Sequence, residues 1–379
     1  MARLYAATGD GIARLGEAGD GWRVELFLPG SGAQCLAVDP ADPETVYAGL
    51  REGGVRRSGD GGRSWVDCDL PEPGVFSLAV SAADGAVYAG TEPSRLFRSV
   101  DGGRSWRELE SLLELPSRPS WSFPPRPWTS HVRWIAPSPH DADLILVGIE
   151  LGGLMRSTDG AESWQDHRPG AQRDVHSLAW HPRIEGRAYE AGGGGAAWSE
   201  DAGDTWHAAD EGRDRHYTWS VAVDPDEPER WYVSASTGPF AAHGGRDPQA
   251  RIYRREEGVW RALAGGLPSR CRRCPTRSSQ RTAACSPAWQ TGRSGRAAIV
   301  ATAGAPARFR AMASREFRRS RACERLRPRR ASSGERSPVA VRLDTRLVRG
   351  ATDSLSCRPP SVRLGEFDSP SYDADVQRD

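Results

Sequence analysis

The chain has 379 residues, with 51 basic and 50 acidic side chains, a formal net charge of +1 and 38% hydrophobic residues. This length and apolar content allow a packed core, and no apolar run is long enough to span a membrane. The first residues lack the apolar run of a signal peptide, and the cysteines do not form a disulfide framework. We therefore expect a cytoplasmic protein without a membrane partner.

The small net charge hides two regions of opposite sign. Every basic residue is an arginine; residues 269–379 contain 24 of them against 10 acidic residues, a balance of +14. Residues 1–268 contain 27 arginines against 40 acidic residues, a balance of −13. The sequence therefore divides into an acidic body and a basic tail.

The body is built from repeated pairs of short apolar runs, each pair separated by a turn. The clearest pair is 36–38 with 45–49, and it returns at 78–80 with 86–90, 135–137 with 144–148, 178–180 with 188–189, and 221–223 with 231–233. Runs of β-branched and aromatic residues bounded by Asp, Pro and Gly predict strands.

An octet with the pattern Ser-x-Asp-x-Gly-x-Ser/Thr-Trp follows four of these pairs, at 58–65, 99–106, 157–164 and 199–206, with Ala161 replacing the glycine in the third copy. The carboxylate can accept bonds from main-chain N–H groups of its own turn, glycine supplies positive φ, and the Trp ring can be buried. We interpret the octet as a hairpin corner, in which the aspartates have a structural role: Asp60, Asp101, Asp159 and Asp201.

The spacing of the closing tryptophans predicts the architecture. Trp22, Trp65, Trp106, Trp164, Trp206 and Trp260 are separated by 43, 41, 58, 42 and 54 residues, a period near 42 with two insertions. With two strands flanking each octet, every unit makes a four-stranded antiparallel blade, and this period is typical of β-propellers. The fold class is therefore all-β, a repeat protein with six recognisable blades and seven expected in an intact parent.

The octet resembles the Asp-box, or BNR, repeat of sialidase-like, sortilin-type and photosystem-assembly-factor-like β-propellers, and the resemblance covers most of residues 1–267. It implies a propeller in which the boxes lie on hairpins away from the ligand face. It implies no single function, because the family includes both glycoside hydrolases and non-catalytic binding propellers.

The tail differs from the body in character. The first unit starts at residues 4–7 with a second-strand sequence, so its missing first strand should come from the C-terminal end, and we expect this chain not to supply it. In a frame shifted by one nucleotide, the codons of 275–305 permit a further blade with its own octet. We therefore predict two regions, a propeller at 1–268 and an arginine-rich, low-order tail at 269–379 that is a frameshift product.

Ligand-face residues are predicted by aligning the units. In each unit we take the residues two and four positions before the first apolar residue of the first strand, and the residues that follow the second strand. These residues should surround the propeller axis on the face opposite the octets. The residues that follow the second strands include Arg51 and Glu52, and Glu190 lies slightly earlier in its strand. The candidate ligand-binding residues are His131, Arg133, Glu150, Asp174, His176, Tyr217, Trp219, Glu92 and Arg95.

Several of these groups have two readings. Arg133 is either an anion clamp or the partner of Glu150. The two histidines fit rim residues better than metal ligands, because no third ligand is evident, so we predict no metal and no cofactor. Gly192 to Gly195 fit a tight hairpin better than a phosphate loop. Trp121 and Trp128, on the first insertion, either contact a ligand, or cover the tunnel or fold under the loop.

The preferred function is a non-catalytic binding or scaffold propeller, a monomer when the frame is intact, whose ligand is a glycan or a protein segment. The alternative is a glycoside hydrolase, sialidase- or glucanase-like, using a carboxylate pair on the ligand face. A third reading makes the tail a nucleic-acid arm, but we expect no specific nucleic-acid partner. Cys271 and Cys274 have the CxxC spacing of one half of a zinc site, and no second CxxC or pair of histidines follows them.

Overall fold

Short strands account for nearly all the regular structure. The computed structural model describes residues 3–18, 21–123, 128–243 and 249–263, together with the backbone of 298–302 and 341–342. All of these lie in one compact unit, Met1–Arg342, whereas Leu343–Asp379 and most of the predicted tail lie outside the described residues. Within the described part, no helix is long and apolar enough to cross a membrane.

The strands follow one another in blade order. The first three are Arg3–Ala7 (β1), Ile12–Ala18 (β2) and Gly21–Phe27 (β3). The second blade contains Ala33–Val38 (β4), Val46–Leu50 (β5), Val55–Ser58 (β6) and Val66–Asp67 (β7). The third contains Val75–Val80 (β8), Val87–Thr91 (β9), Leu96–Ser99 (β10) and Arg107–Glu108 (β11).

The remaining blades repeat this order. The fourth contains Val132–Pro137 (β12), Ile145–Ile149 (β13) and Gly153–Ser157 (β14), and its outer strand is reduced to a bridge between Arg156 and Gln165. The fifth contains Val175–Trp180 (β15), Ala188–Gly192 (β16), Gly195–Ser199 (β17) and His207–Ala208 (β18). The sixth contains Tyr217–Val223 (β19), Trp231–Ser236 (β20), Arg251–Glu256 (β21) and Val259–Ala262 (β22).

Helical structure in the described residues is confined to the two insertions. Two 3-10 turns, Glu110–Glu114 and Arg118–Ser120, precede β12, and one short helix, Pro239–His243 (α1), follows β20. The described chain thus forms six antiparallel blades arranged as a β-propeller, which confirms the predicted fold class.

One expectation about the first blade is wrong. Ala298–Thr302 (β23) pairs antiparallel with β1, from Arg3 opposite Thr302 to Ala7 opposite Ala298, and takes the place of the missing inner strand. Val341–Arg342 (β24) pairs with β3 at the outer edge. The chain therefore supplies the inner strand of the first blade itself.

The core lies between blades rather than within them. In the described residues, five apolar clusters fill the five interfaces from the first blade to the sixth. Four of these five clusters include a buried tyrosine from a second strand, such as Tyr5 in the first interface and Tyr189 in the last, and the interface of the fourth and fifth blades has Leu146 instead. In the described residues both faces of the second to fifth blades pack against a neighbour, which explains why their strands are rich in apolar residues.

The octets form the corner between the third and fourth strands. In the first copy, the Asp60 carboxylate accepts the main-chain N–H groups of Arg63 and Ser64, each at 2.9 Å, and the hydroxyls of Ser64 and Ser58. The bonds from Ser64 hold the Asp60 pKa well below its usual range. This arrangement agrees with the structural role predicted for the aspartate.

Two details of the octet were missed. Two successive residues have positive φ, and in the later copies alanine occupies one of them, Ala161 at 73° and Ala202 at 61°. Of the four octet tryptophans, Trp206 is buried, and the other three are half-buried against the neighbouring clusters. The hydrogen-bonded carboxylate is therefore common to all four corners, whereas the glycine can be replaced by alanine and the tryptophan need not be fully buried.

Glycines in the second strands let successive blades approach closely. A Cβ at Gly49 or Gly90 would lie 2.5 Å from a methyl group of the next inner strand, that of Val75 or Val132. A Cβ at Gly148 would lie 2.4 Å from Cγ1 of Val175. The valine of each inner strand thus occupies the space that a side chain on the preceding blade would need.

We expect Gly148→Ala to lower the free energy of unfolding by about 1–3 kcal/mol, because the added methyl overpacks the interface with Val175. Urea denaturation of the two proteins measures the difference. Gly16→Ala is the matched control, since a Cβ there meets no atom within 4 Å. Equal stability of the Gly148 and Gly16 variants would contradict the close-approach argument.

Candidate functional site

Each inner strand from the second blade to the sixth carries a bulge at the same point. The pairing with the second strand shifts by one residue between Ala33 and Cys35, and the same shift recurs in the next four blades. A bulge re-aims the side chain of the extra residue. The bulged residues are Gln34, Phe76, Arg133, His176 and Trp219.

Four of these bulged residues meet near the centre of the face opposite the octets. Phe76 stacks on His131 with 3.7 Å between ring centroids, and Trp219 stacks on His176 at 4.5 Å. The Arg133 guanidinium joins the two pairs, 5.7 Å from the Phe76 ring and 5.5 Å from the Trp219 ring. Side chains from the third, fourth, fifth and sixth blades therefore form one continuous stack.

One half of the site is an ionic group around His131. The Nε2 atom of this buried histidine lies 2.7 Å from Glu150 Oε2, and its Nδ1 atom lies 3.4 Å from Glu92 Oε2. Arg133 Nε lies 3.4 Å from the same Glu150 oxygen. Arg133 thus contacts Glu150, which was one of the two alternatives predicted for it. His131 lies between the carboxylates of Glu92 and Glu150.

The other half is centred on His176. Its Nδ1 atom lies 2.5 Å from the main-chain oxygen of Thr218, in the next blade. Its Nε2 atom lies 3.3 Å from Asp174 Oδ1 and 3.5 Å from the Tyr217 hydroxyl. Because a carbonyl oxygen can only accept a hydrogen bond, Nδ1 carries a proton and donates a hydrogen bond to the Thr218 carbonyl.

A glycine hairpin positions Asp174. The main-chain N–H of Gly193 donates to the Asp174 carbonyl at 2.8 Å, and a Cβ on Gly193 would lie 2.0 Å from Asp174 Oδ2. Gly192 and Gly195 pair with each other across the turn between β16 and β17. The glycine run is therefore the tight hairpin expected from the sequence, and it allows close backbone approach to the carboxylate.

The two halves touch through their acidic groups. One oxygen of Glu150, one oxygen of Asp174 and one ring nitrogen of His176 all lie within 4.8 Å of one another. From the sequence, the histidines are poor metal ligands because no third donor is evident. The fold places two carboxylates beside His176, so that histidine has the further donors that the sequence did not show.

Eight of the nine candidate residues therefore belong to one connected cluster, and Arg95 does not. Arg95 donates to Glu108, through Nε at 2.7 Å and through a second nitrogen, and pairs with Glu72 at 3.3 Å. Glu108 lies on the outer strand of the third blade, and Glu72 precedes β8. Alignment placed Arg95 near the axis only because it follows a second strand.

Glu190 lies within its second strand, as the alignment predicted, but it does not join the acidic groups around the axis. It lies inside β16 and is fully buried, with its Oε2 atom accepting the main-chain N–H of Gln172 at 2.9 Å. Burial raises the pKa of this carboxyl to about 8. It belongs to the interior of the fifth blade rather than to the ligand face.

The two insertions differ in how much they expose. Trp121 is buried in the interface of the third and fourth blades and donates through Nε1 to Ser117 Oγ at 2.8 Å. Trp128 is 79% exposed, and Phe240, on the second insertion, is 92% exposed. The two tryptophans of the first insertion therefore differ: Trp121 folds under its loop, and Trp128 faces solvent.

Two features of this face were not predicted. Phe123 packs its ring edge against His131, with 5.0 Å between centroids, and its place in an insertion gave no alignment signal. A cavity of about 580 Å³ lies between the first two blades, lined by residues that include Asp10, Arg51 and Glu52. The exposed second-strand exit at 51–52 would have pointed to this cavity.

The fold and the site together define a six-bladed β-propeller with a polar and aromatic centre. The chain matches no known family profile. Over 113 residues, which are 30% of this chain and 7% of the relative, it is 31% identical to vacuolar protein sorting/targeting protein 10 of Emericella nidulans.

Two solved structures share the fold at a TM-score of 0.50 and 20% identity. One is an ancestral GH74 enzyme, with 63% of this chain matched to 32% of that one. The other is the GH74 xyloglucanase from Xanthomonas campestris, with 70% of this chain matched to 47% of that one. The chain thus spans less than half of each of these relatives, and the likeness shows the fold alone.

Proposed function

We propose that the chain is a non-catalytic binding propeller that captures a polypeptide segment on the face opposite the octets. The observation that carries the proposal is the exposure of Trp128 and Phe240 on two insertions of that face. Large aromatic side chains exposed on loops of a rigid scaffold favour a binding role.

The state of the carboxylates favours binding over hydrolysis. Glu150 is buried and engaged by His131 at 2.7 Å and by Arg133 at 3.4 Å. A general acid for glycoside cleavage needs access to the glycosidic oxygen, and a buried carboxylate that contacts both His131 and Arg133 lacks that access. Glu150 instead supports the arginine that joins the aromatic stack.

Charge favours a basic segment. The body carries a formal balance of −13, and its central site contains Glu92, Glu150 and Asp174 against the single guanidinium of Arg133. A negative field raises the association rate of positively charged segments, and aromatic faces attract arginine and lysine side chains. We therefore expect peptides that combine basic and apolar residues.

An immobilised library of 15-residue peptides tests this proposal. We expect the full chain to retain basic, apolar peptides, with retention falling at least about tenfold in the Trp128→Ala/Phe240→Ala variant. The Val66→Ala/Val100→Ala variant is the matched control, because both valines are exposed at the octet corners, on the opposite face. Peptide retention that is unaffected by the aromatic pair, or retention on a glycan array alone, would contradict the proposal.

One observation favours the second candidate, a glycoside hydrolase. Oxygens of Glu150 and Asp174 lie within 4.8 Å of each other, close to the roughly 5 Å between the carboxyl groups of retaining glycosidases. A panel of chromogenic glycosides tests it. Turnover that disappears in Glu150→Gln would favour the hydrolase, whereas absence of turnover across the panel agrees with the binding propeller.

A further inference from the structure

We infer that Glu150, Asp174 and His176 form a binding site for a divalent transition metal ion of the zinc type. Their donor atoms, two carboxylate oxygens and one imidazole nitrogen, lie within 4.8 Å of one another at the junction of the fourth and fifth blades. A mixed oxygen and nitrogen set of this kind suits Zn²⁺ better than Ca²⁺, which prefers oxygen ligands alone.

The hydrogen bonding of His176 is an independent reason for a cation. Because Nδ1 donates to the Thr218 carbonyl, Nε2 is the ring nitrogen that faces the carboxylates. It lies 3.3 Å from Asp174 Oδ1, a separation that a single cation bound to both atoms can bridge.

The surroundings resemble those that hold metal ligands in place. A ligating histidine usually donates its second ring N–H to a carbonyl or a carboxylate, and ligating carboxylates are themselves hydrogen-bonded. Here Thr218 orients His176, Gly193 fixes the main chain of Asp174, and His131 contacts Glu150. His176 is fully buried and Asp174 is partly exposed, so an ion would enter from the Asp174 side.

Arg133 limits the affinity. Its Nε atom lies 3.4 Å from Glu150 Oε2, and a positive guanidinium near the site opposes a second positive charge. The cation–π contacts with Phe76 and Trp219 hold the guanidinium in place. We therefore expect binding weaker than in a structural zinc site, and stronger in Arg133→Gln.

Isothermal titration of the EDTA-treated full chain with ZnCl₂ tests this site. We expect one equivalent per chain, which His176→Gln abolishes and Asp174→Asn weakens by at least about tenfold, the smallest loss typical of residues that only support a ligand. His207→Gln is the matched control, because that histidine is exposed and packs on Trp198 in the outer half of the fifth blade. A Cys271→Ser/Cys274→Ser variant should keep the equivalent, which separates this site from thiolate binding in the tail.

Thermal melting shows whether each variant is folded. If His176→Gln is not folded, Asp174→Asn, at a partly exposed position, is the second variant that tests the site. Failure of the wild type to bind Zn²⁺ would overturn the inference. Binding retained in both His176→Gln and Asp174→Asn would overturn it as well. The titration measures metal alone, so its failure is distinct from failure of the peptide-binding proposal.

Discussion

Glu190→Gln is expected to remove most of the pH dependence of stability between pH 5 and pH 8. Glu190 is fully buried in β16, and its Oε1 atom has no hydrogen-bond partner among the described residues. Burial raises the pKa of the carboxyl to about 8 in the folded chain, from 4.5 in the absence of burial. Glutamine keeps the shape and the neutral charge of the protonated acid.

The direction follows from where the proton is held. Between these two pKa values the folded chain keeps the proton and the unfolded chain releases it, so stability falls as pH rises. The stabilisation is complete below pH 4.5 and lost at about pH 8. At 1.36 kcal/mol per pH unit, the loss is up to roughly 5 kcal/mol.

Urea denaturation at pH 5 and pH 8 measures this loss in the wild type and in Glu190→Gln. Glu162→Gln is the matched control, because Glu162 is exposed and pairs only with Arg107 among the described residues, so it should keep the wild-type dependence. A wild type with equal stability at both pH values would show that Glu190 does not hold a proton in the folded state.

Trp231→Ala is expected to lower the free energy of unfolding by about 3–5 kcal/mol, because it opens a cavity in the interface of the fifth and sixth blades. The Trp231 ring is fully buried, with its centroid 4.6 Å from that of Trp260 and 5.2 Å from that of Tyr189. Both neighbours would lose an aromatic contact as well as buried area.

Trp128→Ala provides the same chemical change at an exposed position, and we expect it to alter the free energy of unfolding by less than about 0.5 kcal/mol. Chemical denaturation of both variants, followed by circular dichroism, gives the comparison. If the two substitutions lower the free energy of unfolding equally, the interface between the fifth and sixth blades is not a packed core.

Local sequence was sufficient for the architecture. The octets and the spacing of their tryptophans report a repeated unit, and each unit folds from strands that are close in the chain. Aligning the units also grouped most of the central cluster, because residues at equivalent positions of a propeller face the same axis. His131, Arg133 and His176 were found in this way.

What sequence could not supply depends on contacts between distant segments. A bulge has no residue signature of its own, so the turning of Phe76 and Trp219 toward Arg133 was not evident. The displacement of Arg95 depends on where Glu72 and Glu108 lie. The strand at 298–302 is a short apolar run within an arginine-rich region, and its pairing with β1 crosses nearly the whole length of the chain.

That pairing has a consequence for biosynthesis. The first blade emerges from the ribosome early, but its inner partner is not made until residue 302, roughly 15–60 s later at ordinary rates of translation. Throughout that interval, the nascent polypeptide presents an open β edge while later blades assemble behind it. The order of synthesis therefore completes the inner edge of the first blade only after the other five blades have been made, and a stalled or truncated product would keep an adhesive edge.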